Sequence, residues 1–316
     1  MSRTLGACAA IIVAAAVALT PALARHTASG HALSGHAMSG HAPFAEAALG
    51  PAAPGQPDIA AALPGSGPAS SARAAQAGPA IANITAVGSL NWAGYAVSRS
   101  KTRFTAVTAT YFVPYLNCRQ SPGATASSFW VGLDGYVAHP DSVEQIGIGA
   151  DCSAAGKASY FAWFEMFPFA QTKIALKIHA GDSVTTSVTW IAARKDFQLV
   201  LHDNTRGGSF SRLRKCPAVK VSGKAVKCPR NSAEIIAEAP ASGTSSKLVI
   251  DPLSDYGAVS FSGASVTDSA GKHGGVVSPH WNTTKIIQLR ASGGPTLAEP
   301  TSVQADMFDS YWQRED

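Results

Sequence analysis

The chain has 316 residues, of which 46% are hydrophobic and 14% are charged. That is apolar enough to fill a core, which excludes a wholly disordered polymer. The formal net charge is +5, but no nucleic-acid-binding motif and no interleaving of aromatic with basic residues accompanies it, so nucleic acid is not an expected partner.

The first stretch reads as an export signal. Arg3 supplies a positive start, and the apolar run from Ala7 to Leu19 is too short to span a bilayer. Ala22-Leu23-Ala24 gives the small-x-small pattern of a cleavage site before Arg25. Residues 1–24 are therefore expected to be removed, leaving a secreted chain with no membrane partner. Residues 25–88 differ from everything that follows. They are rich in Ala, Gly, Pro, Ser and His, and they repeat Ser29-Gly30-His31-Ala32 at Ser34 and again at Ser39. Such a segment cannot bury enough apolar surface to fold alone. It reads as a pro-segment or a passive linker. Spacing of five with intervening glycines is a weak metal tract. Imidazoles at His26, His31, His36 and His41 gain charge on acidification, which suits a release trigger.

Residues 89–316 have the texture of strands. Thr105 to Val113 is β-branched and aromatic. Lys173 to Ile178 alternates through Ile174, Leu176 and Ile178, Ser183 to Trp190 through Val184, Val188 and Trp190, and Phe197 to Leu201 through Phe197, Leu199 and Leu201. Turn-forming residues separate these runs, and no convincing amphipathic helix follows the signal. Many short strands without helices predict an all-β antiparallel sandwich or barrel.

Cys8 leaves with the signal, and Cys118, Cys152, Cys216 and Cys228 remain. An even count in an exported chain predicts two disulfides. Three connectivities are possible; Cys118–Cys152 and Cys216–Cys228 keep each bridge local in sequence. The spacings match no zinc site. Between Arg206 and Arg230 lie eight basic residues and no acidic one. That stretch reads as a solvated loop, or as a contact for an anionic polymer.

Common hydrolase signatures are missing. There is no G-x-S-x-G elbow, no H-E-x-x-H and no Asp-Thr/Ser-Gly. The histidines beyond the leader, His139, His179, His202, His273 and His280, sit in no triad context. Any catalysis must use carboxyl and amide groups. Four segments place such groups inside apolar strands: Trp130 to Gly135, Val143 to Gly147, Tyr160 to Pro168 and Ala233 to Pro240. Strand alternation puts Trp130, Gly132 and Asp134 on one face, Gln145 with Val143 and Gly147, Glu165 with Phe161, Trp163 and Phe167, and Glu234 with Ile236 and Glu238. Glu234 and Glu238 are ~13 Å apart along a strand, so a working partner for either must come from another strand. A carboxyl among Trp and Phe has its pKa raised by desolvation, which suits acid–base work at low pH. A neutral amide such as Gln145 can donate to a developing oxyanion without titrating.

Taken in order, Asn91-Trp92-Ala93-Gly94, Trp130-Val131-Gly132-Leu133-Asp134-Gly135, Glu144-Gln145-Ile146-Gly147, Ala162-Trp163-Phe164-Glu165-Met166-Phe167-Pro168 and Ala233-Glu234-Ile235-Ile236-Ala237-Glu238 resemble the glutamic peptidases, or eqolisins. The resemblance runs from about residue 89 to the C-terminus. It implies an all-β antiparallel sandwich of two bent sheets, a lectin-like jelly roll, with a concave substrate groove. It implies Gln145 and Glu238 as the catalytic pair. Trp92, Trp130, Asp134 and Glu165 match positions that line or support the groove, and Glu234 matches an acid without a catalytic role. The implied activity is that of a monomeric acid endopeptidase acting on polypeptides without metal or other cofactor, inhibited by its own pro-segment. Several positions depart from the pattern. From Gly88 onward the chain is basic, with 22 Lys and Arg against 18 Asp and Glu, and Phe164 and Phe167 stand where tyrosines often flank the groove glutamate. Ile235 replaces a common aromatic, and Ala239 an acid. Two other activities fit such a sandwich: a carbohydrate-binding lectin that stacks sugars on exposed tryptophans, and a two-carboxylate glycosidase using Glu165 with Glu238.

Overall fold

The computed structural model describes residues 39–40, 46–47 and 84–314, except 120–122, 138–141, 222, 245–246 and 292–293. The expected signal and, apart from Ser39–Gly40, the histidine repeats lie outside the described residues. Among the described residues every regular element is a strand.

Strand pairing builds two layers. In the first, Thr172–Ile174, Ala158–Met166, Glu144–Cys152, Thr125–Leu133, Ser232–Glu238, Trp92–Ser98 and Asn282–Leu289 lie side by side, all antiparallel. Ile84–Ser89 then joins Asn282–Leu289 in parallel. In the second, Ser209–Arg214, Asp196–Asp203, Ser183–Ile191, Phe104–Phe112, Ala258–Asp268, Phe308–Trp312 and Thr296–Pro300 follow one another, again antiparallel. Thr296–Pro300 pairs back onto Asn282–Leu289 and so connects the layers.

The period-2 pattern decides what lies between them. From the first layer come Tyr95, Phe129, Val131, Ile146, Ile148, Phe164 and Ile235; from the second come Phe104, Val107, Tyr111, Val188, Leu199 and Phe261. Tyr111 donates its hydroxyl across this core to the Phe129 carbonyl at 2.7 Å. The predicted all-β sandwich is thus the observed architecture. The strands expected around Thr105, Ser183 and Phe197 form as Phe104–Phe112, Ser183–Ile191 and Asp196–Asp203. The run from Lys173 does not. Its ladder ends at Ile174, and the Leu176 N–H turns back to the Ile174 carbonyl at 2.8 Å. Ile174 and Ile178 are buried and Leu176 packs on the core all the same, so the alternation there records burial without sheet pairing.

The folded part begins ahead of the boundary expected after residue 88. Ile84–Ser89 pairs along its whole length with Asn282–Leu289, so Ile84 to Gly88 belong to the sheet. Two short leader segments also form ladders: Ser39–Gly40 pairs with Ser242 and Ala241 in a separate three-stranded sheet, and Glu46–Ala47 pairs with Ser89 and Gly88 of the first layer.

Both disulfides favoured from sequence are present, with Cα–Cα separations of 5.3 Å for Cys118–Cys152 and 5.8 Å for Cys216–Cys228. The first closes a sequence separation of 34 and the second one of 12. In the chain-entropy account the longer loop stabilises more, ~4 against ~3 kcal/mol. Denaturant unfolding of the Cys118→Ala/Cys152→Ala and Cys216→Ala/Cys228→Ala chains should therefore show the larger loss for the first pair; the reverse order would contradict this assignment.

Candidate active site

The same alternation that fills the core aims the polar groups at the other face of the first layer. Register across five strands arranges that face in rows. One row reads Ala96, Glu234, Gly132, Gln145, Glu165. The next reads Gly94, Ile236, Trp130, Gly147, Trp163, and the third reads Trp92, Glu238, Ser128, Gly149, Phe161. Gln145 and Glu238 therefore share a face, two strands and two rows apart. Ideal spacing puts their backbones ~10 Å apart across the sheet and ~13 Å along it.

Hydrogen bonds fix the side chains at both corners of that interval. Trp130, in the middle row, donates its indole N–H to Glu238 Oε2 at 2.7 Å. Asn91 donates from Nδ2 to Glu238 Oε1 at 3.1 Å. Asn91 is itself set by Ser89, whose Oγ donates to Asn91 Oδ1 at 3.2 Å and accepts the Trp92 N–H at 3.1 Å. At the other corner Gln145 donates from Nε2 to Glu165 Oε2 at 2.9 Å, which fixes the amide plane, while its buried Oε1 has no hydrogen-bond partner among the described residues. Trp92 and Trp130 meet edge to face at 5.0 Å, and with Val143, Trp163 and Ile236 they form a separate apolar cluster around these polar groups. Glycines make room for the aromatics. A Cβ on Gly147 would run into the Phe129 carbonyl and the Trp130 side chain, and one on Gly132 would stand 2.9 Å from the Trp130 ring.

The residues singled out from sequence thus separate into two groups. Trp92, Trp130, Gln145, Glu165 and Glu238 share one face and are all buried. Asp134 does not join them. The strand ends at Leu133, and Asp134 sits beyond it at φ 66°. Its carboxyl group turns to the neighbouring loop and accepts the Arg230 and Asn231 N–H groups at 2.8 Å each. It supports that loop and lines no row, because positive φ breaks the alternation that predicted otherwise. Asn91 was not singled out as a site residue. Its place at the head of the Asn91-Trp92-Ala93-Gly94 motif was the available signal.

Asp134 belongs to a second constellation with Glu144 and Glu234, all three fully or almost fully buried. Burial pushes Asp134 up to about 6 in spite of its two backbone N–H donors. Burial also holds Glu144 and Glu234 well above the usual carboxylate range, and the charge of Asp134 adds to both shifts. A folded-state pKa raised above the unfolded one stabilises the fold in acid, and that stability is lost as pH rises through the folded value. For Asp134 alone, a rise of about two units corresponds to on the order of 3 kcal/mol. The melting temperature should fall as pH is raised from 4 to 7, and Glu144→Gln should flatten the fall. A melting temperature that rises toward neutrality would refute the sign.

Comparison with known proteins agrees with this fold. A search of curated proteins finds no match. The structure is similar to that of scytalido-glutamic peptidase bound to a transition state analog inhibitor, at 25% identity and a TM-score of 0.57, covering 71% of this chain and 98% of that one. Its fold is also similar to that of SCP-B, a member of the eqolisin family of peptidases, in a complex with the tripeptide Ala-Ile-His, at 24% identity and a TM-score of 0.53 over 71% and 98% of the two chains. The family model of the Peptidase A4 family matches residues 90–308, which span all five strands of the site, and the chain belongs to that family.

Proposed function

We propose that this peptidase is a secreted acid endopeptidase in which Glu238 and Gln145 activate a water molecule for attack on a peptide bond. The observation that carries the reading is the setting of Glu238. Both of its oxygens accept N–H groups, from Asn91 and Trp130, on the face that also holds Gln145. Glu234, the other candidate base on this strand, is kept protonated by burial and is a poor proton acceptor at low pH.

In this reading ionised Glu238 takes a proton from the attacking water, and the resulting hydroxide adds to the scissile carbonyl. Gln145 accepts from the water through Oε1 and stabilises the tetrahedral oxygen with its remaining amide N–H. Glu165 holds that amide in place. Glu238 then returns the proton to the leaving amine, so it ends the cycle ionised, as it began. The side chains of Trp92 and Trp130 exclude bulk water and give the substrate backbone an apolar wall. Polypeptide is the substrate, and no step calls for a metal or a covalent intermediate.

The leader enters as an inhibitor. Its two paired segments attach at chain positions that flank the base: Gly40 opposite Ala241, just past Glu238, and Glu46 opposite Ser89, just before Asn91. A segment secured beside both ends of the Glu238–Trp92 pair is well placed to block the groove until it is removed.

Glu238→Gln and Gln145→Ala should each lower casein hydrolysis at pH 3–4 by ~10²–10⁴-fold with unchanged melting behaviour. The rate should decline toward neutrality, and a maximum near pH 8 would contradict the base assignment. Acid incubation of the precursor should remove the leader, with hydrolysis appearing in step. Digestion by uncleaved precursor at the full rate would refute the inhibitory role.

A further inference from the structure

A hollow of ≈ 480 Å³ opens at the Ser98 end of the sheet, the end of the Trp92–Ser98 strand away from Glu238. Ideal strand spacing places it ~20 Å along the ladder from the Glu238 row. Its wall on one side is the turn from Ser98 to Arg103, and on the other side it is Pro229 and Asn231. Among the described lining residues three are cationic, Arg99, Lys101 and Arg103, and none is a carboxylate. The turn is held by the Thr102 N–H on the Arg99 carbonyl at 3.1 Å. Arg99 is anchored by donating from Nη1 to the His280 carbonyl at 2.6 Å. Lys101 and Arg103 are exposed. Neither forms an ion pair among the described residues, whereas Arg206 and Lys215 are matched to Asp182 and Asp196. Ser100, Thr102 and Asn231 add hydrogen-bonding groups to the same hollow.

The second wall is the exit of the disulfide loop closed by Cys216–Cys228. On that loop Lys220, Lys224 and Lys227 are exposed and likewise make no ion pair among the described residues. The field of Arg103 also reaches Arg230, the residue between the two lining positions of that wall. The hollow therefore adjoins the exit of a basic loop, and Lys101, Arg103, Lys220, Lys224 and Lys227 are exposed cations without an ion pair among the described residues.

We propose that this hollow binds a phosphate group and that, with the basic loop, it holds a phosphodiester polymer. Planar guanidinium forks and a lysine beside hydroxyl groups match tetrahedral oxyanions. The choice of phosphate over carboxylate rests on the acid working range proposed above. Carboxylate polymers lose their charge near pH 4, while phosphodiesters stay ionised far below that, and Lys and Arg stay cationic throughout. Tethering of this kind would hold the enzyme on an anionic matrix while the outer-face site acts on polypeptides.

The test uses the full chain at pH 4 and low salt, with a poly(glycerol phosphate) oligomer as probe. Polygalacturonate and anionic-phospholipid vesicles serve as parallel arms. Binding to the oligomer should weaken about tenfold in Lys101→Gln/Arg103→Gln, and the slope of log affinity against log salt should fall by about two. Lys157→Gln/Lys195→Gln removes the same charge elsewhere on the surface and should retain most of the affinity. Equal loss in both double variants, no loss in the first, no binding at all, or binding confined to polygalacturonate or vesicles would each overturn the proposal. Thermal unfolding of the two double variants should match that of the parent. Hydrolysis of a short peptide should be unchanged in Lys101→Gln/Arg103→Gln. A chain that binds the oligomer yet cleaves no peptide would sink the acid-peptidase reading and leave the anion site standing.

Discussion

The position of Ser232–Glu238 between Thr125–Leu133 and Trp92–Ser98 governs the rest of the molecule. Side chains on a strand alternate, so this register sends Ala233, Ile235 and Ala237 into the core and Glu234, Ile236 and Glu238 to the opposite face. A slip of one residue would exchange the two sets. Glu234 and Glu238 would then be driven into the core while Ala233, Ile235 and Ala237 turned to the opposite face. The core therefore enforces the site: an alanine and isoleucine face that must be dry holds a glutamate in line with an indole and an amide two strands away.

Burying carboxyl groups costs several kcal/mol unless donors or a proton compensate. The protein answers this in two ways a few residues apart on a single strand. Glu238 meets Asn91 and Trp130, neutral N–H donors that replace the water its two oxygens would otherwise bind. Glu234 and Glu144 are instead held well above the usual carboxylate range by burial, which favours their neutral form. The contrast depends on what surrounds each carboxyl group, since the side chains are chemically identical.

How far these features could be read from the amino-acid order varies with their physical origin. Alternation of apolar residues reported the sandwich, because burial of one strand face is a strong and local constraint. It also placed Gln145, Glu165 and Glu238 on apolar strands, and the ordered motifs linked them to a family. Registers between distant strands have no local signature, so the three-row lattice had to await the structure. Local pattern misled at Asp134, where a left-handed backbone ends the strand early, and at Lys173 to Ile178, where buried side chains alternate along a chain that makes no ladder. Asn91 was overlooked because an amide at a strand start has the same appearance whether it caps a turn or holds a buried carboxyl group.

The parallel strand Ile84–Ser89 sets a limit on where the leader can be trimmed. Its backbone groups complete one edge of Asn282–Leu289. A cut upstream of Ile84 keeps that edge covered by covalently attached chain. A cut within residues 84–88 would leave the covering peptide held by hydrogen bonds alone, and its escape would bare a row of unpaired amides and carbonyls. Bare edges of that kind recruit strands from other molecules. Ends scattered across these few residues would then divide the protein between chains with a covered edge and self-associating material, with the division set by the first cut.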